Sequence, residues 1–168
     1  MKMKLIEVRK ISPFNFLSMR IVLQRVLAAS VTIDHQIVGS IEKGLLVYVG
    51  IEDADTQEDA DWLAQKIYSL RIFSDQDGKM NLSIPEIGGN FLVVSQFTLF
   101  AATKKGNRPS FIRSAKPAHS RPLYTYFIEK LASISDTKIE KGEFGADMKI
   151  QSINDGPVTL FIDSKNKE

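Results

Sequence analysis

Cysteine is absent from all 168 residues, which removes disulfides, thiolate zinc sites and cysteine nucleophiles together. Histidine is nearly absent. With only His35 and His119, a multi-histidine metal centre cannot be built, and a histidine-dependent triad would have to use one of the two. His35 lies in Asp34-His35-Gln36, the composition of an exposed hairpin tip, and His119 lies in a proline- and arginine-rich connection. Both read as solvated surface residues. No stretch approaches the ~18 apolar residues that a membrane span needs. The basic opening MKMKLIEVRKISPFNFLS is interrupted by Glu7, Arg9, Lys10 and Pro13, so it has no apolar run of signal-peptide length. No metal, cofactor or membrane is expected.

What is present is the composition of an ordinary globular domain, 43% hydrophobic and 25% charged, at a length that supports one real core. The net charge of +2 conceals segregation. Lys2, Lys4, Arg9 and Lys10 face only Glu7 at the start of the chain. Thr103 to Arg121 carries Lys104, Lys105, Arg108, Arg113, Lys116 and Arg121 without an acid, and Glu52 to Asp61 carries Glu52, Asp53, Asp55, Glu58, Asp59 and Asp61 without a base. The basic block suits a polyanion, with phosphate the first candidate, or else it is a solvated loop.

Residues 1–18 differ in texture from the rest of the chain. A cleaner pattern opens at Met19-Arg20, so the expected organisation is an upstream extension over 1–18, one domain over 19–164 and a polar tail over 165–168. IVLQRVLAASVTID and QIVGSIEKGLLVYVGIE read as strands, with turns at Gly39 and Lys43-Gly44. Trp62, Leu63, Ile67 and Leu70 recur at helical spacing behind an acid-rich first turn, which predicts a helix over about 56–70. Leu123, Tyr124, Phe127, Ile128 and Leu131 predict a second, from 117 or 120 to 131. Thr137 to Lys141 reads as a short strand, and residues 142–147 as a glycine-rich loop.

Two stretches depart from plain patterning. Phe91 to Ala101, FLVVSQFTLFA, has the apolarity of a central strand but is interrupted by Ser95, Gln96 and Thr98. Buried polar groups cost roughly 1–3 kcal/mol each when unsatisfied, so these are either internally bonded or the floor of a site. Lys149 to Asp163, KIQSINDGPVTLFID, has the β-branched texture of a strand pair around Asn154-Asp155-Gly156-Pro157. Asp-Gly alone would mark a hairpin turn, but Pro157 cannot donate to a ladder and Gly156 lets another group approach closely. The segment is either a connection between two strands or a rigid clamp whose carbonyls point at something.

Ser95-Gln96-Phe97-Thr98-Leu99 and Asn154-Asp155-Gly156-Pro157-Val158-Thr159, taken together, resemble the paired signature of the D-aminoacyl-tRNA deacylases. Met19-Arg20, Gln24-Arg25-Val26, Gly44-Leu45-Leu46, Lys79 to Ser83, Lys105 to Phe111 and Phe144 to Met148 fall in the family's order, so the resemblance spans Met19 to Asp163. Ala102 and Ala118 to Pro122 are small departures.

The resemblance implies an α+β domain of mainly antiparallel, barrel-like sheet with two principal helices. It also implies a cytoplasmic homodimer acting on aminoacylated tRNA, hydrolysing the ester between a D-amino acid or glycine and the 3′-terminal adenosine. Ser95, Gln96, Phe97 and Thr98 would form the catalytic segment. Gly156 and Pro157, joined by a cis bond, would reach into the partner's pocket, with Arg25 and Met148 as further substrate-site residues. Arg25 would brace the clamp through its carbonyls; on pattern alone it reads as a surface arginine of an edge strand. Thr98 and Ser95 are nucleophiles by type, yet neither histidine is well placed as their base. Two rivals stay open: a non-catalytic nucleic-acid-binding domain on the same fold, and an esterase with a serine or threonine nucleophile.

Overall fold

In the computed structural model, which describes residues 18–167, two strands form the buried middle of the sheet. They are β3 (Gly44–Gly50) and β6 (Asn90–Ser95). Their side chains alternate between two cores: Leu45, Val47, Val49, Phe91 and Val93 on the helix side, and Leu46, Leu92 and Val94 on the other. A strand buried on both faces must be apolar at every position, which is why these segments are continuous runs rather than alternating ones. The two strands run parallel, Leu45 opposite Phe91 and Val49 opposite Ser95, and β7 (Ile139–Lys141) continues the parallel set beyond β6.

On the other side of β3 the pairing is antiparallel. β1 (Arg20–Ile33) gives its first half to β3 and its second half to β2 (Gln36–Ile41). The opposite edge of β1 is taken along nearly its whole length by β8 (Lys149–Asp163). β2 also comes against β6 and β7, which turns the sheet toward closure as a barrel. A separate two-stranded ribbon, β4 (Phe73–Ser74) with β5 (Met80–Leu82), lies outside it. The architecture is the expected α+β domain with antiparallel pairings predominating.

Both expected helices are present. In α1 (Gln57–Ser69), the Asp59 carboxylate accepts the Thr56 N–H at 2.9 Å, capping a first turn rich in acid. α2 (Pro117–Ile134) opens with Pro117, whose missing N–H costs nothing there. Leu63 and Ile67 of α1 and Leu123, Phe127 and Leu131 of α2 close the larger core over the sheet.

The structure corrects several sequence expectations. β8 is one continuous strand and not the expected pair of strands: both arms around Asn154 to Pro157 pair with β1, and the ladder shifts register between Gln24 and Val26 and again between Val26 and Ala28. The turn-like residues therefore make an irregularity in a long strand. β6 stops at Ser95, and Phe97–Phe100 form a turn of 3-10 helix. The Gln96 N–H donates to the Val49 carbonyl at 2.7 Å, which ends the parallel ladder and redirects the chain. His119 belongs to the first turn of α2, where Nε2 meets the Asp55 carbonyl oxygen at 3.1 Å although the residue is exposed. His35 does occupy an exposed hairpin tip, with Asp34 and His35 both at positive φ. The expected extension over 1–18 lies outside the described residues except for Ser18.

Candidate active site

The carboxyl ends of parallel strands are where open α/β sheets hold ligands, and here Val49 of β3 and Val94 and Ser95 of β6 open onto a cavity of about 530 Å³. Gln96 and Phe97 continue its wall from the 3-10 turn, Phe111 and Ser120 close one side, and Met148 and Phe144 the other. The turn is held from three directions. Arg20 donates from Nη1 to the Leu99 carbonyl at 3.2 Å and places its guanidinium 4.8 Å over the buried Phe100 ring. Phe97 packs edge-on against Phe111, their ring centres 5.1 Å apart. Tyr124 donates its hydroxyl to the Val93 carbonyl at 2.9 Å, fixing the end of β6 to α2. Burial pushes the Tyr124 phenol well above its usual range, so it is a permanent donor.

Within the turn the Gln96 side-chain amide donates to Thr98 Oγ1 at 2.5 Å. An amide N–H cannot remove a proton, so this bond orients Thr98 without activating it. The backbone N–H groups of Phe97 and Thr98 open a 3-10 turn and so have no acceptor within it. Phe97 is exposed, presenting its ring at the cavity mouth.

Gly156 and Pro157, by contrast, do not line this cavity. The structure places them with Arg25, in the irregular part of β8, and joins them by a cis peptide bond. Arg25 is 8% exposed rather than a surface residue, because β1 is an interior strand. Its Nε donates to the Asp155 carbonyl at 3.3 Å and pairs with the Asp155 carboxylate at 3.0 Å, while Nη1 donates to the Ile72 carbonyl at 2.6 Å. The Asn154 side-chain amide ties the same loop to the Arg25 carbonyl at 3.0 Å and the Val158 carbonyl at 3.1 Å. Gly156 and Pro157 remain exposed at the tip of this braced loop. The candidate residues thus fall into two groups on one chain: Ser95, Gln96, Phe97, Thr98 and Met148 at the cavity and its adjoining turn, and Arg25, Gly156 and Pro157 at the loop.

Beside the cavity mouth, Ala102 and Ser110 pair through both backbone bonds, 2.8 and 3.0 Å, and close a loop carrying Lys104, Lys105 and Arg108, all exposed. The wider basic block is not wholly unopposed. Arg113 lies 3.5 Å from the buried Glu52 carboxylate, and Arg121 stacks 5.0 Å over Phe144.

The family model for D-Tyr-tRNA(Tyr) deacylase matches residues 22–163, which contain the cavity, the 3-10 turn, the Gly156-Pro157 segment with Arg25, and the basic loop, though not Arg20. The chain belongs to that family. D-aminoacyl-tRNA deacylases of Flavobacterium psychrophilum and Akkermansia muciniphila are 59% and 57% identical to it over 150 residues, which are 89% of this chain and the whole of each relative. Among solved structures, the c-Myc DNA unwinding element binding protein superposes with a TM-score of 0.81 at 36% identity, covering 85% of this chain and 97% of that one. A probable eukaryotic D-amino acid tRNA deacylase superposes at 0.74 over 87% and 99% of the two chains; at 19% identity this is a likeness of fold.

Phe111, Ser114, Ser120 and Ile150 also line the cavity, and no role was read for them individually in the sequence. Phe111 ends the Lys105 to Phe111 motif and Ile150 belongs to β8, but nothing local in the sequence says which of the four turn inward.

Proposed function

We propose that this protein is a D-aminoacyl-tRNA deacylase that hydrolyses the ester between a D-amino acid, or glycine, and the 3′-terminal adenosine of tRNA. The observation that carries the proposal is the division of the site. The cavity lacks the glycine-proline loop, and the loop is braced with its tip exposed. A cytoplasmic homodimer in which each loop enters its partner's cavity joins the two groups.

In that arrangement the Gly156 and Pro157 carbonyls accept the substrate ammonium, and Arg25 keeps them in place through Asp155. A D-residue points its side chain away from the loop, whereas an L-residue drives its Cβ into it. Selection by such a clash needs no reading of the side chain. Ser95, Gln96 and Phe97 position the ester, and the N–H groups of Phe97 and Thr98 face the oxygen on which charge develops. Water attacks with help from the 2′-hydroxyl of the terminal adenosine. The test is hydrolysis of D-tyrosyl-tRNA and L-tyrosyl-tRNA by the purified protein, with the D-form expected to turn over and the L-form to survive. Equal rates, or none on either, overturn the reading.

A second reading, a nucleic-acid-binding domain without catalysis, is favoured by the name of the neighbour that binds a DNA unwinding element. Lys104, Lys105 and Arg108 bear on both. Neutralising all three is expected to weaken tRNA binding and flatten its dependence on salt, the logarithmic slope falling by roughly 0.7–0.9 for each phosphate no longer neutralised. Binding unchanged across salt concentrations would show that the loop is solvated and nothing more. If the triple variant loses single-stranded DNA as readily as tRNA, while D-tyrosyl-tRNA is never hydrolysed, the second reading prevails.

A further inference from the structure

Four carboxylates meet where β8 ends beside the first turn of α1. Glu52, Asp55, Asp59 and Asp163 are all buried, with Asp55 only 2% exposed. Three cations face them: Arg20 Nε is 3.3 Å from Asp163, Arg113 Nη2 is 3.5 Å from Glu52, and Lys165 Nζ is 3.6 Å from Asp59 and 4.0 Å from Asp55 Oδ1. Among the described residues four carboxylates thus face three cations, and a buried carboxylate left uncompensated is costly. Neutral donors supply part of the difference. Ser164 Oγ donates to Asp59 at 2.7 Å, the N–H groups of Lys165 and Asn166 donate to Asp163 at 3.0 and 2.8 Å, and the Glu52 N–H donates to Asp55 Oδ2 at 2.8 Å. Thr56 caps Asp59, and His119 touches the Asp55 backbone carbonyl rather than its carboxylate.

Asp55 Oδ1 has no hydrogen-bond partner among the described residues. Burial, reinforced by the charges of Asp59 and Glu52, pushes the Asp55 carboxyl up to about 7 against the pull of the Glu52 N–H and Lys165. Asp59 and Asp163 move the other way. Burial would raise each, but the Ser164 and Thr56 bonds and Lys165 outweigh it for Asp59, and Ser18, the Asn166 and Lys165 N–H groups and Arg20 outweigh it for Asp163.

The backbone nitrogen of Met19 lies inside this group, donating to Ser164 Oγ at 3.1 Å, and the Ser164 N–H returns a bond to the Met19 carbonyl at 3.0 Å. Ser18 occupies the space next to it. Its N–H donates to Glu52 Oε1, and its Oγ donates to Asp163 Oδ2 at 2.5 Å.

We propose that this acidic cluster is a binding site for a primary ammonium, the α-ammonium of Met19 in a chain whose amino terminus lies at that residue. Freed of the peptide bond to Ser18, the Met19 nitrogen carries three N–H groups. One keeps Ser164 Oγ, and the others turn toward the Glu52 and Asp163 oxygens that Ser18 satisfies in the longer chain. The added charge matches four carboxylates with four cations. Relatives aligned along their whole length cover 150 residues, 89% of this chain. The inference is independent of the deacylase reading, because neither of its readouts is activity.

Among the described residues every strand and both helices lie from Arg20 onward, so a chain of residues 19–168 retains all of them. That chain, labelled at methionine nitrogen and confirmed by mass to carry a free amino group, is titrated by NMR. The α-amino pKa is expected to rise by about one unit or more above its usual ~7.7–8.0, and to fall back in Glu52→Gln and Asp163→Asn. Because the folded-state pKa is the raised one, the stabilisation is fully present below the unfolded value near 7.7 and is lost as pH rises through the folded value. The melting-temperature advantage over the same chain acetylated at its α-amino group is therefore expected to be largest near neutrality and gone by about pH 10. A normal or lowered α-amino pKa overturns the proposal, as does a melting difference that ignores pH. The titration of the free chain decides alone if the acetylated chain does not fold.

Discussion

Replacing Gly156 with alanine is expected to lower single-turnover hydrolysis of D-tyrosyl-tRNA on the order of a hundredfold while leaving the protein folded. Gly156 has φ +127°, a backbone conformation that side-chain-bearing residues rarely adopt, and a Cβ there would stand 2.7 Å from Val158 Cγ2 and 2.8 Å from the Val158 nitrogen. The Val158 backbone cannot give way without moving the ladder to β1. A third neighbour, Arg25 Nη2 at 3.2 Å, belongs to the side chain that holds the loop in place. The added methyl therefore disturbs the clamp and its brace together, at a strain cost of roughly 1–3 kcal/mol. Neither arm of β8 depends on Gly156 for its own pairing, since it stands in the unpaired stretch between Asn154 and Thr159. Circular dichroism melting separates the two effects. Full activity in a variant that melts like the parent would show that the loop does not meet the substrate.

How far the sequence revealed this arrangement depends on the reach of each interaction. The helices were legible because their signals are local: the capping acid is three residues from Thr56, and the buried face of α2 repeats every three or four positions. Ser95, Gln96 and Thr98 stood out as polar interruptions of an apolar run, and the cavity lies at that interruption. β8 was misread because Asn-Asp-Gly-Pro is a turn composition. Whether such residues reverse the chain or merely bulge it depends on an unbroken partner strand, and β1 lies more than a hundred residues away in sequence. The parallel pairing of β3 with β6 left no local mark. Arg25 was underestimated for a similar reason, since its acceptors are at Asp155 and Ile72. In the sequence the acidic block at Glu52 to Asp61 shows only as charge segregation and an acid-rich first helical turn. Glu52, Asp55 and Asp59 of it are buried, with Ser18 bonded to Glu52 and Ser164 and Lys165 to Asp59, partners drawn from far along the chain in both directions.

The choice between a protein nucleophile and an RNA-assisted reaction gives the last prediction. Thr98 is the hydroxyl best placed by type to attack an ester, but its bonding argues against that role. Its Oγ1 accepts a hydrogen bond from the Gln96 amide, which stabilises a hydroxyl oxygen without removing its proton. His119 is engaged with the Asp55 carbonyl, and His35 sits at the far tip of the β1–β2 hairpin, so neither meets Thr98. A hydroxyl without a base is a poor nucleophile at neutral pH. The 2′-hydroxyl of the terminal adenosine, adjacent to the scissile ester in every substrate molecule, needs no protein group to bring it there. Thr98→Ala is accordingly expected to slow D-tyrosyl-tRNA hydrolysis by no more than about tenfold, the scale of one lost neutral hydrogen bond of roughly 1 kcal/mol. Substrate ending in 2′-deoxyadenosine is expected to lose about 10²–10⁴, the usual contribution of a positioned proton-transfer group. The two measurements pull in opposite directions under the rival mechanism. If Thr98→Ala abolishes turnover while the 2′-deoxy substrate is cleaved at the normal rate, Thr98 is the nucleophile, and an acyl-enzyme on its Oγ1 should then be trapped with the parent protein.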